Sequence, residues 1–266
     1  MEFMTRVAVP SPGFTVEPQE DMLFVGSCFA DSIGRRFAEE KFRATVNPYG
    51  VMYNPVSVLH TVERCGCAPR TAFLTLGTNH VYRLKATGEI VDNCRKRPQS
   101  LFSEEELTVE ECAAALQRAV DILAERNPEV HVVLTVSPIR YAKYGYHGSR
   151  LSKAVLLLAA DAVVRGNARC AYFPAYEIMN DELRDYRFHA ADMLHPSQQA
   201  VDYIWERLSE VYLSDAARRF VSEWKPIKEA LGHKPFNPDS PEYKAFMDKT
   251  MLKVAELSEK YPNFAL

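Results

Sequence analysis

The sequence of 266 residues contains no run of about 18 apolar residues, the length a membrane-spanning helix needs. Its longest apolar-rich run, Ala154–Ala160, is far shorter. Positive charge is not in excess either. Lys and Arg number 32 against 35 Asp and Glu, a net charge of −3, so the basic footprint of a nucleic-acid binder is missing. The first residues have no apolar core of signal-peptide length and meet Pro10 and Pro12 early, so the chain as it stands reads as cytoplasmic. Six cysteines are present, but no second C-x-x-C or H-x-x-x-H follows the Cys65-x-Cys67 pair at zinc spacing. Scattered free thiols and no metal or cofactor are therefore expected, and a chain of this size needs neither disulfides nor metal to fold. There is no internal repeat, no low-complexity segment and no G-x-S-x-G elbow, which disfavours the α/β-hydrolase pattern. What remains is an ordinary globular composition, 47% hydrophobic and 25% charged, sufficient for one large domain, or a domain with an appendage.

Apolar runs and helical periodicity alternate along the chain. Met22–Val25 reads as a buried strand that Gly26-Ser27-Cys28 breaks, and Phe29, Ile33 and Phe37 then recur at helical spacing. Phe42–Val46 alternates as a strand and stops at the turn Asn47-Pro48-Tyr49-Gly50. A short helix is expected near Val56–Arg64. Ala72–Leu84 and Glu89–Cys94 are expected as strands joined by a hairpin at Lys85–Gly88. Ser103 with Glu106 resembles a capping box opening a helix to about Arg126. His131–Val136 is a strand, Tyr141–Ser149 a loop, Arg150–Arg165 a helix and Cys170–Phe173 a strand. Asp192–Pro196 is a loop, with Pro196 in the first turn of a helix to about Leu213. Helices over roughly Ala216–Leu231 and Pro241–Lys260 close the chain. This pattern predicts an α/β fold with a mostly parallel sheet, in which sites form at the carboxyl ends of strands. Residues 1–214 would carry the chemistry, and 215–266 would form a helical extension packed on them.

Two places carry the residue types of acyl-transfer chemistry. Ser27 lies between a strand and a helix start, where developing negative charge is favoured, although a serine there also serves simply as an N-cap. Asp192, three positions before His195 on a loop, can fold back onto the imidazole Nδ1–H and leave Nε2 to accept a proton. A chance D-x-x-H is the alternative. Cys28, on the same helix start, is a rival nucleophile or a residue packed behind the site.

Together these blocks resemble the SGNH, or GDSL-like, esterases and lipases. Gly26-Ser27-Cys28-Phe29-Ala30 spells the motif that names the GSCFA family, an SGNH-related group. Asn47–Pro55, Leu76–Tyr82, Asn93–Arg97 and Asp192–Ser197 also resemble it, so the likeness spans roughly residues 20–215. It implies a three-layer α/β/α, flavodoxin-like fold with a mostly parallel sheet. It also implies a catalytic triad of Ser27, Asp192 and His195, and an oxyanion hole formed by Ser27, Gly50 and an asparagine. Gly77-Thr78-Asn79-His80 matches three positions of the G-x-N-D block, with His80 in place of the aspartate, and Asn93 is the rival to Asn79. The GDS of the first block is here GSC.

The activity implied is serine-dependent hydrolysis of a small acyl ester such as an O-acetylated carbohydrate, without a cofactor. An O-acetyltransferase using the same triad and a non-catalytic carbohydrate-binding module are the alternatives. A metal or redox protein built on Cys65, Cys67 and Cys94 is a further class. Arg140, after the strand His131–Val136, could hold a carboxylate or phosphate of the substrate, or lie on the surface. Tyr141, Tyr144, Tyr146 and His147 could form a sugar-stacking lid or pack locally. His189 is incidental on this reading, and neither the oligomeric state nor the role of the C-terminal helices can be read from the sequence.

Overall fold

The computed structural model describes residues 4–94, 96–262, 264 and 266. Five strands form a parallel sheet: β1 (Asp21–Gly26), β2 (Arg43–Val46), β3 (Thr71–Leu76), β7 (His131–Val136) and β8 (Cys170–Tyr172). Their spatial order is β2-β1-β3-β7-β8, the flavodoxin-like doubly wound order. Between β3 and β7 lies a smaller antiparallel sheet, ordered β5-β4-β6, of β4 (His80–Leu84), β5 (Ile90–Val91) and β6 (Phe102–Glu106). The main helices are α1 (Cys28–Glu39), α2 (Pro55–Cys65), α3 (Val109–Arg126), α4 (Gly145–Gly166), α6 (Gln198–Tyr212), α7 (Asp215–Gly232) and α8 (Pro241–Lys260), with a single turn, α5, at Ala175–Glu177.

The three layers follow from strand alternation, because successive side chains face opposite sides of the sheet. Leu23, Val25, Leu74, Leu76, Val132 and Leu134 point to one face and are covered by Val58, Leu116, Val120 and Leu156 of α2, α3 and α4. Met22, Phe24, Phe73 and Val133 point to the other, under Phe29, Ile33 and Phe37 of α1 and Ile204, Trp205 and Leu208 of α6. The spacing of Phe29, Ile33 and Phe37 thus marks the buried stripe of an amphipathic helix, as expected.

Several boundaries differ from the sequence reading. Ala72–Leu84 is not one strand. It breaks at Gly77, where the Gly77 and Thr78 N–H groups both donate to the Tyr53 carbonyl at 2.8 Å. Ser103 opens no helix, because Phe102–Glu106 is β6, paired with β4. The capping box lies five residues on. Thr108 Oγ1 accepts from Glu111 N–H at 3.2 Å, and the Glu111 carboxylate accepts from Thr108 N–H at 2.8 Å. Helix α4 begins at Gly145, so the second half of the expected Tyr141–Ser149 loop is its first turn. Ser197 caps α6, which places Pro196 before the helix rather than in its first turn.

Helices α7 and α8 bury an apolar cluster of Phe220, Trp224, Ile227, Val254 and Leu257 between them. They dock on the end of α1. Trp224 Nε1 donates to the Glu39 carbonyl at 2.8 Å, Lys228 pairs with the buried Glu40, and Phe220 meets Phe42 edge to face. Among the described residues, no helix is long and apolar enough to cross a membrane.

Candidate active site

The carboxyl end of β1 is shaped by Gly26. Its φ is +141°, and a Cβ there would lie 2.0 Å from the Thr75 carbonyl oxygen, so only glycine lets the strand turn this close to β3. Ser27 follows in extended conformation as the N-cap of α1, its hydroxyl accepting from Phe29 N–H at 3.2 Å. The same hydroxyl lies 3.1 Å from Thr75 Oγ1, and Ser27 N–H donates to Thr75 Oγ1 at 3.0 Å. Ser27 is 0% exposed. The residue that reaches the surface of this turn is the next one, Cys28, which is partly exposed. Its Sγ is 3.7 Å from the Tyr53 hydroxyl. Burial, and then the contact with Cys28, pushes the Tyr53 phenol up to about 12, so it remains a protonated donor at neutral pH.

Asp192 and His195 meet as their spacing suggests. Asp192 Oδ2 lies 2.6 Å from His195 Nδ1, and Oδ1 accepts from the N–H groups of Leu194 and His195 at 2.9 and 3.0 Å. Those backbone donors, and then the imidazole, hold the Asp192 carboxyl well below the usual carboxylate range. The carboxylate engages Nδ1, so Nε2 is the nitrogen left to act as a base. Met193, between the pair, takes a positive φ of 59°. The turn is closed by Ala190 N–H donating to the His195 carbonyl at 2.8 Å.

This turn is fixed to the end of β7 by Arg140. Arg140 N–H donates to the Leu194 carbonyl and Nη1 to the Met193 carbonyl, both at 3.0 Å. The guanidinium sits 4.2 Å from the Tyr146 ring centroid and 5.8 Å from that of Tyr186. The next residue, Tyr141, meets the Tyr53 ring edge to face at 5.8 Å. A contact path therefore runs from the His195 loop through Arg140, Tyr141 and Tyr53 to Cys28. No hydrogen bond joins His195 to Ser27 or to Cys28 among the described residues. Arg140 thus holds the loop, and Tyr146, half-exposed, stacks on its guanidinium.

The expected oxyanion donors are placed differently from the sequence reading. Gly50 N–H donates to the Asn47 carbonyl at 2.8 Å and closes the turn after β2, so it is not available to a substrate oxygen. Asn79 is buried, and its side-chain amide donates to the Leu107 carbonyl at 2.8 Å, tying the start of β4 to the end of β6. Asn93 is exposed and shares with Gly50 the wall of a cavity of about 490 Å³. The N–H of Cys28 is the first of α1, one of the donors that a helix leaves without an intrahelical partner.

Sequence reasoning missed Thr75, Tyr53 and Lys153. Lys153 is fully buried, donating to the Gly77 carbonyl at 2.7 Å and the Ser137 carbonyl at 2.8 Å, so one ammonium bridges the carboxyl ends of β3 and β7. Burial lowers its pKa to about 7. Only its position on the inner stripe of α4, beside Ser149 and Ser152, could have signalled it. All six cysteines are free, and the described residues contain no group of three or more His, Cys, Asp or Glu that could hold a metal ion.

Among solved structures, the chain is similar to a catalytic mutant of Axe2, an acetylxylan esterase from Geobacillus stearothermophilus. Identity is 14% and the TM-score 0.49, over 76% of this chain and 98% of that one. It is also similar to a family 3 carbohydrate esterase from Clostridium thermocellum, with 12% identity and a TM-score of 0.42 over 80% and 99% of the two chains. No curated protein matches the sequence. The family model that matches the final residues, 224–266, is that of the GSCFA domain protein, C-terminal domain. The GSCFA family model itself matches residues 21–70 and 68–208, most of the chain with its Gly26–Ala30 and Asp192–His195 blocks, and the protein belongs to the GSCFA family.

Proposed function

We propose that the protein is an acyl-ester hydrolase in which Asp192 and His195 activate the thiol of Cys28, and not the hydroxyl of Ser27. The observation that carries this reading is the Asp192–His195 pair at 2.6 Å, with Nε2 left open, on a loop linked through Arg140, Tyr141 and Tyr53 to the partly exposed member of the Gly26-Ser27-Cys28 turn. Ser27, the nucleophile expected from the sequence, is buried, and its hydroxyl is engaged by Thr75 and by the helix it caps. Cys28 is the first residue of α1, where the partial positive charge of the helix terminus favours a developing oxyanion.

In this mechanism His195 Nε2 takes the thiol proton, and Cys28 Sγ attacks the ester carbonyl carbon. The carbonyl π electrons move to oxygen, and the oxyanion faces the Cys28 N–H. Collapse breaks the C–O bond, and His195 gives its proton to the leaving alcohol. Water, deprotonated by His195, then cleaves the acyl-thioester and releases the acid and the thiol. Asp192 holds the imidazole tautomer and stabilises the imidazolium in both halves. The nucleophile and base need not touch before substrate arrives, since such contacts tighten in the Michaelis complex. Residues 1–214 are the catalytic unit on this reading, and 215–266 its helical cover. The substrate class is a small acyl ester such as an O-acetylated carbohydrate. Transfer to a sugar hydroxyl in place of water uses the same steps, and product analysis with an added sugar acceptor separates the two.

The test is to trap the acyl-enzyme. After a brief reaction with p-nitrophenyl acetate, peptide mass spectrometry should find one acetyl group on Cys28, removable by neutral hydroxylamine as a thioester is. Acetyl found on Ser27 restores the serine mechanism. Turnover unchanged in Cys28→Ala and in His195→Ala removes the reading altogether.

A further inference from the structure

The cavity beside the turn after β2 has a charge pattern that hydrolysis of a neutral ester does not use. Residues 49–52 form one wall and residues 90–93 another, with Arg64 and Arg97 between them. The cavity adjoins the reacting turn, because Met52 N–H donates to the Gly26 carbonyl at 2.8 Å. Arg64 lies 4.8 Å from the Tyr49 ring centroid and donates to Asp92 Oδ2 at 2.6 Å. The other Asp92 oxygen lies 2.7 Å from His60 Nδ1, and that hydrogen bond raises the His60 pKa. One carboxylate thus holds both Arg64 and His60. Arg97 packs its guanidinium 4.9 Å from the Phe102 ring centroid and has no carboxylate partner among the described residues. Glu63 is the other acid felt by His60. Tyr49, 48% exposed, adds an aromatic surface at the mouth.

Resting on the hydrolase reading, we infer that this cavity is a subsite for an anionic group on the alcohol portion of the ester, a carboxylate or a phosphate, held by Arg97 and Arg64 next to the acyl group under attack. Arginine suits both, since its planar fork pairs with two oxygens of either anion. Asp92 keeps Arg64 in place, and its single negative charge is less than the two positive charges of Arg64 and Arg97 lining the same cavity.

The experiment compares the wild type with Arg97→Gln, an exposed position whose replacement leaves the fold and the Cys28–His195 machinery untouched. Binding of sodium glucuronate and of inorganic phosphate is measured by NMR titration, without any turnover. The wild type should bind at least one of them, with shifts in residues 49–52 and 90–93, and Arg97→Gln should weaken that binding about tenfold, the scale of one charge-assisted hydrogen bond. Response to glucuronate alone identifies a uronate source, and response to phosphate alone a phosphorylated one. In kinetics, an acetylated methyl glucuronide should have a lower KM than the acetylated methyl glucoside for the wild type only, while p-nitrophenyl acetate turnover is the same in both proteins. Equal binding by both proteins, or none by the wild type, overturns the inference while p-nitrophenyl acetate turnover leaves the hydrolase reading standing. Loss of the hydrolase reading would appear instead as absent turnover with anion binding intact.

Discussion

Ser27 and Cys28 should separate stability from activity when each is replaced by alanine. In Ser27→Ala, helix α1 loses the acceptor for Phe29 N–H. Removing a serine N-cap typically costs about 1 kcal/mol. The Thr75 hydroxyl, buried 3.1 Å from Ser27 Oγ, loses a partner as well. That adds about 1 kcal/mol, since a buried hydroxyl keeps only its bond from the Ser27 backbone N–H. The expected loss is therefore about 2 kcal/mol, or a fall in Tm of roughly 4–8 °C for a chain of this size. Cys28→Ala removes a partly exposed thiol from the first turn of a helix, where alanine is favoured, and should change stability by less than about 0.5 kcal/mol. Ester turnover should behave in the opposite way. Cys28→Ala should lower kcat/KM by at least about 10³-fold, the scale of losing a nucleophile, while Ser27→Ala stays within about tenfold of the wild type below its melting temperature. Urea denaturation and p-nitrophenyl acetate hydrolysis on the same preparations give both axes. A Ser27→Ala protein as stable as the wild type but inactive would refute the reasoning, because the hydroxyl would then be serving chemistry and not the cap.

Other perturbations probe the same frame. Asp192→Asn should lower kcat/KM by about 10²–10⁴-fold, because the amide can no longer fix the imidazole tautomer, and should leave the urea midpoint nearly unchanged since both side chains are close to half exposed. Gly26→Ala puts a Cβ 2.0 Å from the Thr75 carbonyl oxygen at a φ of +141°, and should cost about 3 kcal/mol or more, seen as a loss of folded yield or a large drop in urea midpoint. The Lys153 pKa is lowered to about 7 in the fold against an ordinary 10.5, so between those values the unfolded chain binds more protons and stability should rise with pH. Lys153→Met should remove that rise, measured as the difference between the two proteins in urea melts from pH 6.5 to 9.5. Asp92→Asn should bring the raised His60 pKa back toward its ordinary value in an NMR titration. The His60–Asp92 contribution to stability is then one present at acid pH and lost as pH rises through the folded His60 pKa.

What could be read from the sequence was whatever local spacing determines. The i, i+4, i+8 recurrence of Phe29, Ile33 and Phe37 depends only on helix geometry, and it marks the buried stripe of α1. Asp192 and His195 meet because three residues of loop suffice to close that contact, with two backbone N–H groups holding the carboxylate in place. The capping box was misplaced because Ser103 and Thr108 both stand three residues before a glutamate. Pairing of residues 102–106 with β4 removes the first from consideration, and that pairing is a tertiary fact. Lys153 was invisible for a related reason. A lysine on a helix reads as solvent-facing until two strand ends, 16 and 76 residues away, supply its acceptors. Gly50 and Asn79 carry the residue types of an oxyanion hole, but the Gly50 N–H and an Asn79 amide N–H are taken by Asn47 and Leu107, partners that the types alone do not reveal.

On the proposed hydrolase reading, the choice of nucleophile turns on one residue of register at a helix start. An N-cap side chain folds back to accept from the N–H two or three residues on, so it points into the helix mouth. The next residue begins the helical spiral, and its side chain is free to leave that mouth. With Gly26 pressed against Thr75, the Thr75 hydroxyl lies directly beside the cap position and can bond both the N–H and the hydroxyl found there. The turn thus has one inward position, suited to a small polar side chain that satisfies the cap and Thr75 together, and one outward position beside Tyr53. Serine fits the first by its hydrogen bonding, and a thiol in the second stands at the helix N-terminus beside the Tyr53 hydroxyl. A chain reading Gly-Ser-Cys therefore fills the inward place with its hydroxyl and presents its sulfur. On that basis Cys28→Ser, which keeps the outward register but exchanges the atom, should retain more esterase activity than Cys28→Ala, and Ser27→Cys should not rescue Cys28→Ala.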